Sequence, residues 1–157
     1  MAKSVIAKAA AKSATLATAE SCTGGLIAAA LTDVPGASAV LDRGFVTYSN
    51  TAKIQMLGVP ADVIVTNGAV SEETADAMAR GAIAKGNISL CVSVTGIAGP
   101  GGGSRDKPVG LVWFGYASDD GKSGTEKRLF APQSRAFVRA ETTKTALQIL
   151  LREIERR

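Results

Sequence analysis

The sequence predicts an α/β domain of three layers, in which helices cover both faces of a mixed β-sheet. Short apolar runs typical of strands alternate with segments of helical spacing along the chain. Two glycine-rich turns each follow a strand-like run, at 18–25 (TAESCTGG) and at 93–103 (SVTGIAGPGGG). No linker-like stretch or internal repeat interrupts this alternation, so we expect residues 1–157 to form a single domain.

The first three elements are predicted as a helix, a strand and a second helix. Apolar and basic residues alternate at helical spacing over 2–13, and 14–19 (ATLATA) has the character of a short strand. An alanine-rich helix then runs from 23 to about 33, and Pro35 with Gly36 ends it.

A second strand and a short helix follow. Residues 39–48 are rich in Val, Leu, Phe and Tyr, which favours a strand, and Gly44 predicts a kink within it. Asn50 is a good N-cap for a helix over 51–57, which Gly58 closes.

The middle of the chain is predicted as a connection and a longer helix. The connection covers 60–68. Ser71 caps the helix, Glu72 and Glu73 lie in its first turn, where carboxylates suit the helix dipole, and Gly86 ends it.

The C-terminal part predicts three strands and a long helix. The dense apolar run at 88–95 is typical of a central strand, and the loop 96–108 follows it. Residues 109–118 and 125–130 flank a turn-forming segment and predict a β-hairpin, before a final helix over 133–157.

The chain contains no histidine, which excludes a Ser-His-Asp triad, a Cys-His pair and the usual zinc ligand sets. Its two cysteines, Cys22 and Cys91, lack metal-ligand spacing, so we expect free thiols in a reducing compartment. If the protein is an enzyme, a lysine, a tyrosine or a carboxylate must therefore carry its protons.

Composition also bears on location and partners. No apolar run reaches the roughly 18 residues that a membrane span needs, and Lys3, Lys8 and Lys12 interrupt any signal-peptide core, so we expect a cytoplasmic protein without membrane contact. The net charge is +4, but no basic block is interleaved with aromatic residues. We therefore expect an anionic small molecule as partner rather than nucleic acid.

Three residues suggest proton-transfer chemistry. Lys53 lies in the first turn of its helix, the unfavourable end for a cation, which should lower its pKa and let it act as a base towards a serine hydroxyl. Ser38 follows a Pro-Gly turn, and Tyr48 ends the second strand. The alternatives are a solvent-facing lysine and an ordinary turn serine.

The charges at two element ends suggest ligand contacts. Arg135 lies near the start of the final helix, where a guanidinium beside free N–H groups can bind phosphate or carboxylate. Glu20 ends an apolar strand and either holds a polar group of a ligand or caps the next helix. Cys22 has no histidine to activate it, so we interpret it as a packing residue.

Neither glycine loop matches the GxGxxG or GxxxxGK[ST] nucleotide fingerprints. Five segments nevertheless occur in an order and spacing that resemble the CinA C-terminal domain family, over nearly the whole chain. The segments are 18–25 (TAESCTGG), 43–50 (RGFVTYSN) with Lys53, 68–71 (GAVS), 94–100 (VTGIAGP) and 107–110 (KPVG).

The resemblance implies an activity. Members of the family that stand alone are nicotinamide-nucleotide amidohydrolases, so we expect hydrolysis of the carboxamide of nicotinamide mononucleotide to nicotinic acid mononucleotide and ammonia. It further implies that no metal or other cofactor takes part, and that the protein is a homo-oligomer.

The resemblance also implies residue roles. Ser38 matches the nucleophile, Lys53 the general base, and Tyr48 a residue that assists proton transfer or orients Ser38. The residues alone do not choose between Ser38 and Ser21, so Ser21 stays the alternative nucleophile. The family's substrate pocket falls on Glu20, Ser21, Thr23, Gly24, Thr95, Gly96 and Arg135.

Two other functions stay open on the sequence. One is a non-catalytic nucleotide-sensing domain linked to competence or the DNA-damage response, which a bound ligand without turnover would indicate. The other is a structural or nucleic-acid-associated protein that acts through its basic surface, which strong, salt-dependent DNA binding would indicate.

Overall fold

The computed structural model describes all 157 residues and contains one sheet of five strands. The strands are β1 (Leu16–Glu20), β2 (Leu41–Val46), β3 (Leu90–Gly96), β4 (Leu111–Ser118) and β5 (Ser123–Leu129). They lie in the order β2-β1-β3-β4-β5. β1 pairs in parallel with β2 and β3, whereas β3, β4 and β5 pair antiparallel, so the predicted mixed sheet and C-terminal hairpin are confirmed.

Six α-helices form the two outer layers. They are α1 (Ala2–Ala11), α2 (Leu26–Thr32), α3 (Asn50–Leu57), α4 (Ala61–Asn67), α5 (Glu72–Ile83) and α6 (Arg135–Glu155). Helices α1, α2 and α6 pack together over one face of the sheet, and α3, α4 and α5 lie over the other. The predicted three-layer α/β/α arrangement is therefore confirmed. None of the six helices combines the length and apolar character needed to cross a membrane.

The central strand β3 joins the two cores. Leu90, Val92 and Val94 face the core under α1, α2 and α6, while Cys91 faces the core under α5. The alternation follows from the two-residue period of a strand, and burial on both faces explains why the run 88–95 is almost continuously apolar.

The segment at 60–68 differs from the prediction, because α4 replaces the expected connection. Pro60 and Gly68 bound it closely, and its β-branched residues Val63, Ile64 and Val65 gave no helical signal. Ile64 is buried against the core under α5, so tertiary packing outweighs the weak helix propensity.

Two further features lie a few residues away from their predicted positions. The N-cap of α3 is Ser49 rather than Asn50, since the Ser49 side chain accepts a hydrogen bond from the N–H of Ala52. The irregularity in β2 lies not at Gly44 but opposite Leu16 and Ala17, where the pairing with β1 shifts register.

The topology places a ligand site at one edge of the sheet. Strand β2, which follows β1 in the chain, lies on one side of β1, and β3 lies on the other side of β1. Ligands of open α/β sheets bind in the crevice at the carboxyl ends of the strands where the strand order reverses in this way. That edge, which we call the carboxyl edge, receives the segments that follow Glu20, Val46 and Gly96.

Candidate active site

The turn after β1 is held by the buried carboxylate of Glu20. The side chain of Glu20 is 0% exposed. Its two oxygens accept five hydrogen bonds of 2.6 to 3.0 Å, from the hydroxyls of Thr18 and Thr23 and the N–H groups of Gly25, Ile27 and Ala28. The carboxylate therefore caps the start of α2, as the capping alternative predicts, and its expected contact with a substrate stays a prediction.

The turn delays the start of α2, which was predicted at residue 23. Gly24 and Gly25 have φ values of +61° and +101°, a left-handed conformation that favours glycine. The chain therefore leaves β1, turns over Glu20 and enters the helix only at Leu26. Ser21 is presented in this strand–turn–helix connection, at the carboxyl edge.

Lys53 of α3 reaches the same point from the other side of the sheet. Its side chain is 1% exposed, and its Nζ lies 3.1 Å from Ser21 Oγ and 2.9 Å from the carbonyl oxygen of Thr47. Lys53 takes part in none of the ion pairs of the protein. A buried amine without a carboxylate partner, in contact with a serine hydroxyl, is a candidate base–nucleophile pair.

Burial lowers the pKa of Lys53 below its ordinary value of 10.5. The direction agrees with the prediction, but the main cause is loss of hydration rather than the helix N-terminus. The nearby Cys22 opposes the shift in part. Burial also raises the pKa of Cys22 to about 12, so at neutral pH Cys22 is a protonated thiol, as expected of a packing residue.

Ser38 lies away from this pair. It is exposed in the 3-10 turn Ala37–Ala39, which precedes β2, whereas Lys53 follows β2. A strand of six residues separates the two ends by roughly 20 Å. The structure therefore does not bring Ser38 together with Lys53, and the serine that contacts Lys53 is Ser21.

Tyr48 and Arg135 meet at the rim of the carboxyl edge. The side chain of Tyr48 is 60% exposed, and its hydroxyl accepts a hydrogen bond of 2.7 Å from Arg135 Nη2. Arg135 Nη1 donates to the carbonyl oxygen of Gly99, at 2.9 Å. No hydrogen bond joins Tyr48 to Lys53, to the predicted nucleophile Ser38 or to the alternative Ser21, so the tyrosine hydroxyl contacts only the arginine.

The remaining predicted pocket residues also lie at the carboxyl edge. Thr23 and Gly24 belong to the turn after β1. Thr95 is buried and donates to the carbonyl oxygen of Ala69, which ties the end of β3 to the segment before α5. Gly96 packs closely on β4, since a Cβ there would lie 2.7 Å from a methyl group of Val112.

Sequence reasoning missed Arg139. Its Nε and Nη2 donate to the carbonyl oxygens of Cys22 and Thr23, at 3.1 and 2.9 Å, so the guanidinium joins α6 to the turn after β1. The signal was its spacing of four from Arg135, which places both side chains on one face of the helix.

Three cationic side chains lie at the carboxyl edge without a carboxylate partner. Neither Arg135, Arg139 nor Lys107 forms an ion pair, and Lys107 Nζ donates instead to the carbonyl oxygen of Asn67, at 2.6 Å. Unpaired cations around a Ser–Lys contact favour an anionic ligand. No cluster of three or more His, Cys, Asp or Glu side chains is arranged to hold a metal ion.

The fold and this edge define a three-layer α/β domain with its candidate site at the reversal point of the strand order. The chain belongs to the CinA C-terminal domain family, whose model matches residues 1–154. The resemblance predicted from the five segments is thus confirmed.

Individual relatives support the assignment. The nicotinamide-nucleotide amidohydrolase PncC of Enterobacter agglomerans is 53% identical over 135 residues, which are 86% of this chain and 82% of that protein. A CinA-like protein of Akkermansia muciniphila is 49% identical over 149 residues, 95% of this chain but 36% of that protein. The chain thus spans most of the first relative and about a third of the second.

A solved structure shows the same fold. The crystal structure of the competence/damage inducible protein CihA from Agrobacterium tumefaciens superposes with a TM-score of 0.94 at 47% sequence identity. The match covers 96% of this chain and 91% of that one.

Proposed function

We propose that this chain is an amidohydrolase that converts nicotinamide mononucleotide to nicotinic acid mononucleotide and ammonia. The observation that carries the proposal is the buried Lys53 amine, 3.1 Å from Ser21 Oγ at the carboxyl edge. Relatives of about half identity that share most of their length with this chain are named nicotinamide-nucleotide amidohydrolases, which supports the substrate class.

The proposed first half-reaction uses Ser21 as nucleophile and Lys53 as base. Neutral Lys53 accepts the hydroxyl proton while Ser21 Oγ bonds to the carboxamide carbon and the C=O electron pair moves onto oxygen. The C–N bond then breaks, and the Lys53 ammonium transfers its proton to the departing nitrogen. Ammonia leaves, and nicotinate remains as an ester on Ser21.

The second half-reaction releases the acid. A water molecule attacks the ester carbon and transfers a proton to Lys53. Lys53 returns that proton to Ser21 Oγ as the ester C–O bond breaks, which restores the resting pair. The lowered pKa of Lys53 suits this alternation, because burial makes the neutral, proton-accepting amine easier to form than it is for a lysine in water.

We propose that Arg135 binds the negatively charged phosphate of the substrate. Its guanidinium lies at the rim beside the first turn of α6, where N–H groups without helical acceptors and the helix dipole favour an anion. We assign the 5′-phosphate to this position. In the same proposal, Gly24, Thr95 and Gly96 line the space between the turn after β1 and the end of β3.

The direct test is ammonia release from nicotinamide mononucleotide by the purified, chelator-treated protein, with nicotinic acid mononucleotide identified as the second product. Equimolar formation of both products, unchanged by the chelator, is expected, since Ser21 and Lys53 supply all the proton transfers. Binding of the nucleotide without turnover would instead favour the nucleotide-sensing alternative.

We further propose that residues 1–157 act as one domain, in the cytoplasm, within a homo-oligomer and without a nucleic-acid partner. The buried free thiols Cys22 and Cys91 suit a reducing compartment. The exposed edge strand β2, with Val46 and Tyr48 at its end, offers a surface for self-association. Light scattering on the purified protein measures the assembly, and a salt-dependent DNA-binding titration tests the exclusion of nucleic acid.

A further inference from the structure

We propose that Arg139 is a positioning residue that fixes the oxyanion site of the reaction, by holding the Cys22–Thr23 peptide so that the Thr23 N–H serves as a donor to the carbonyl oxygen of the substrate. This inference rests on the proposed amide hydrolysis. It assigns a role to a residue that the sequence motifs did not single out.

The turn after β1 contains backbone N–H groups that have no acceptor in the protein. Thr23 is fully buried, and its hydroxyl is bonded to Glu20. Neither the Thr23 N–H nor the preceding Cys22 N–H donates to an acceptor of the protein, whereas the N–H groups of Gly24, Gly25 and Leu26 all do. Buried N–H groups are nearly always paired, so a free one beside a nucleophile indicates a place for a ligand oxygen.

Arg139 fixes the orientation of the Cys22–Thr23 peptide and hence the direction of the Thr23 N–H. Arg139 Nε holds the carbonyl oxygen of Cys22, and in a planar trans peptide the C=O and the following N–H point in opposite directions. The Thr23 N–H therefore points away from Arg139. Arg139 belongs to the helix layer on one face of the sheet, and Lys53, which contacts Ser21, belongs to the layer on the other face.

The positive charge of the Arg139 guanidinium also acts on the peptides that it contacts. Arg139 has no carboxylate partner, and its second contact fixes the next carbonyl, that of Thr23. A cation bound to the oxygen of a peptide polarises its N–H and makes it a stronger donor. In other strand–turn–helix connections the N–H of the residue after a nucleophilic serine serves as an oxyanion donor, and here the unpaired N–H groups of Cys22 and Thr23 both follow Ser21.

The consequence for catalysis is specific. An oxyanion donor acts on the tetrahedral state and not on the bound amide, so losing its support lowers kcat and leaves KM nearly unchanged. A phosphate-binding arginine would show the opposite pattern. Removing one oxyanion donor outright costs about 10²- to 10³-fold in kcat. Removing the Arg139 guanidinium, which only positions the donor, should lower kcat by about 10- to 100-fold.

The experiment compares Arg139→Ala and Arg139→Lys with the wild type and with Arg80→Ala, which removes an exposed arginine on α5. We expect a fall in kcat at constant KM for Arg139→Ala. We expect Arg139→Lys to retain part of the wild-type kcat, because a lysine ammonium lacks the planar fork of N–H groups that binds both carbonyl oxygens. Free guanidinium ion, added below denaturing concentration, should raise the rate of Arg139→Ala and leave Arg80→Ala unchanged.

A binding measurement separates the oxyanion role from a fault in folding. The aldehyde analogue of nicotinamide mononucleotide forms a reversible hemiacetal with a serine: the Oγ–C bond forms, the hydroxyl proton moves to Lys53 and the aldehyde oxygen becomes the oxyanion. Arg139→Ala should bind this analogue at least about tenfold more weakly while binding nicotinamide mononucleotide as the wild type does.

The outcomes are distinguishable. Unchanged kcat in both Arg139 variants, a rise in KM alone, or equal weakening of both ligands overturns the role of Arg139 while the proposed function stands. A wild type that turns over no nicotinamide mononucleotide overturns the proposed function, and this inference with it.

Discussion

Lys53 Nζ and Ser21 Oγ lie 3.1 Å apart although 32 positions separate them in the sequence. Parallel pairing of β1 with β2 brings them together, since Ser21 follows β1 and Lys53 lies in the helix after β2. Both therefore reach the carboxyl edge. The Ser21–Lys53 contact is the centre of the proposed active site.

Replacing Lys53 by methionine should abolish turnover and leave nucleotide binding intact. The substitution keeps the volume of the buried side chain but removes the base. Loss of a general base lowers rates by about 10²- to 10⁴-fold. Steady-state ammonia release and a direct binding titration measure the two quantities, with the exposed Lys3→Met as control. An equal loss of affinity and rate would show that Lys53 is a ligand of the substrate rather than a base.

The stability of the protein should depend on pH through Lys53. Its pKa is lower in the folded protein than in the unfolded chain, so the unfolded chain binds more protons between the two pKa values. The free energy of unfolding therefore rises with pH across that window, up to the ordinary pKa of about 10.5. Urea unfolding at several pH values should show this rise in the wild type and a smaller one in Lys53→Met. Identical slopes would contradict it.

Arg135→Ala should raise KM for nicotinamide mononucleotide and spare nicotinamide riboside, which lacks the phosphate. A hydrogen bond to a charged group contributes about 1.5–3 kcal/mol, or about 10- to 100-fold in KM. Steady-state kinetics on the two substrates measure the difference. An equal effect on both would show that Arg135 acts through its contacts with Tyr48 and Gly99 instead.

Glu20→Gln should destabilise the protein by about 2–4 kcal/mol, because the new amide group would face backbone and hydroxyl donors in place of an acceptor. The free energy of unfolding in urea is the measurement, with the exposed Glu73→Gln as control. A variant of wild-type stability with a raised KM would restore the substrate contact expected from the sequence.

Periodicity and caps predicted most of the fold, including the layers, the central strand and the hairpin. The prediction of a connection at 60–68, where the structure has α4, was wrong for a physical reason. Val63, Ile64 and Val65 are poor helix formers, but burial of Ile64 stabilises the helix. Such packing is not visible in a single sequence.

The site was predicted in part. Lys53 and its lowered pKa were found from its place in a helix, although burial proved the larger cause. The position of Ser38 could have been judged from the sequence, because residues before and after one strand lie at opposite edges of a sheet. The hydrogen bonds to the Glu20 carboxylate and the contacts of Arg139 depend on the conformation of the turn 21–25. Residue types alone do not define that conformation.

The contact with Lys53 favours Ser21 over Ser38 as the nucleophile, and removal of each hydroxyl distinguishes the two. Ser21→Ala and Ser38→Ala are matched removals of one hydroxyl, at opposite ends of the sheet, and ammonia release from nicotinamide mononucleotide compares them. If Ser21 is the nucleophile, Ser21→Ala loses turnover and Ser38→Ala retains the wild-type kcat. Retained turnover in Ser21→Ala, with loss in Ser38→Ala, would show that Ser38 and not Ser21 is the nucleophile.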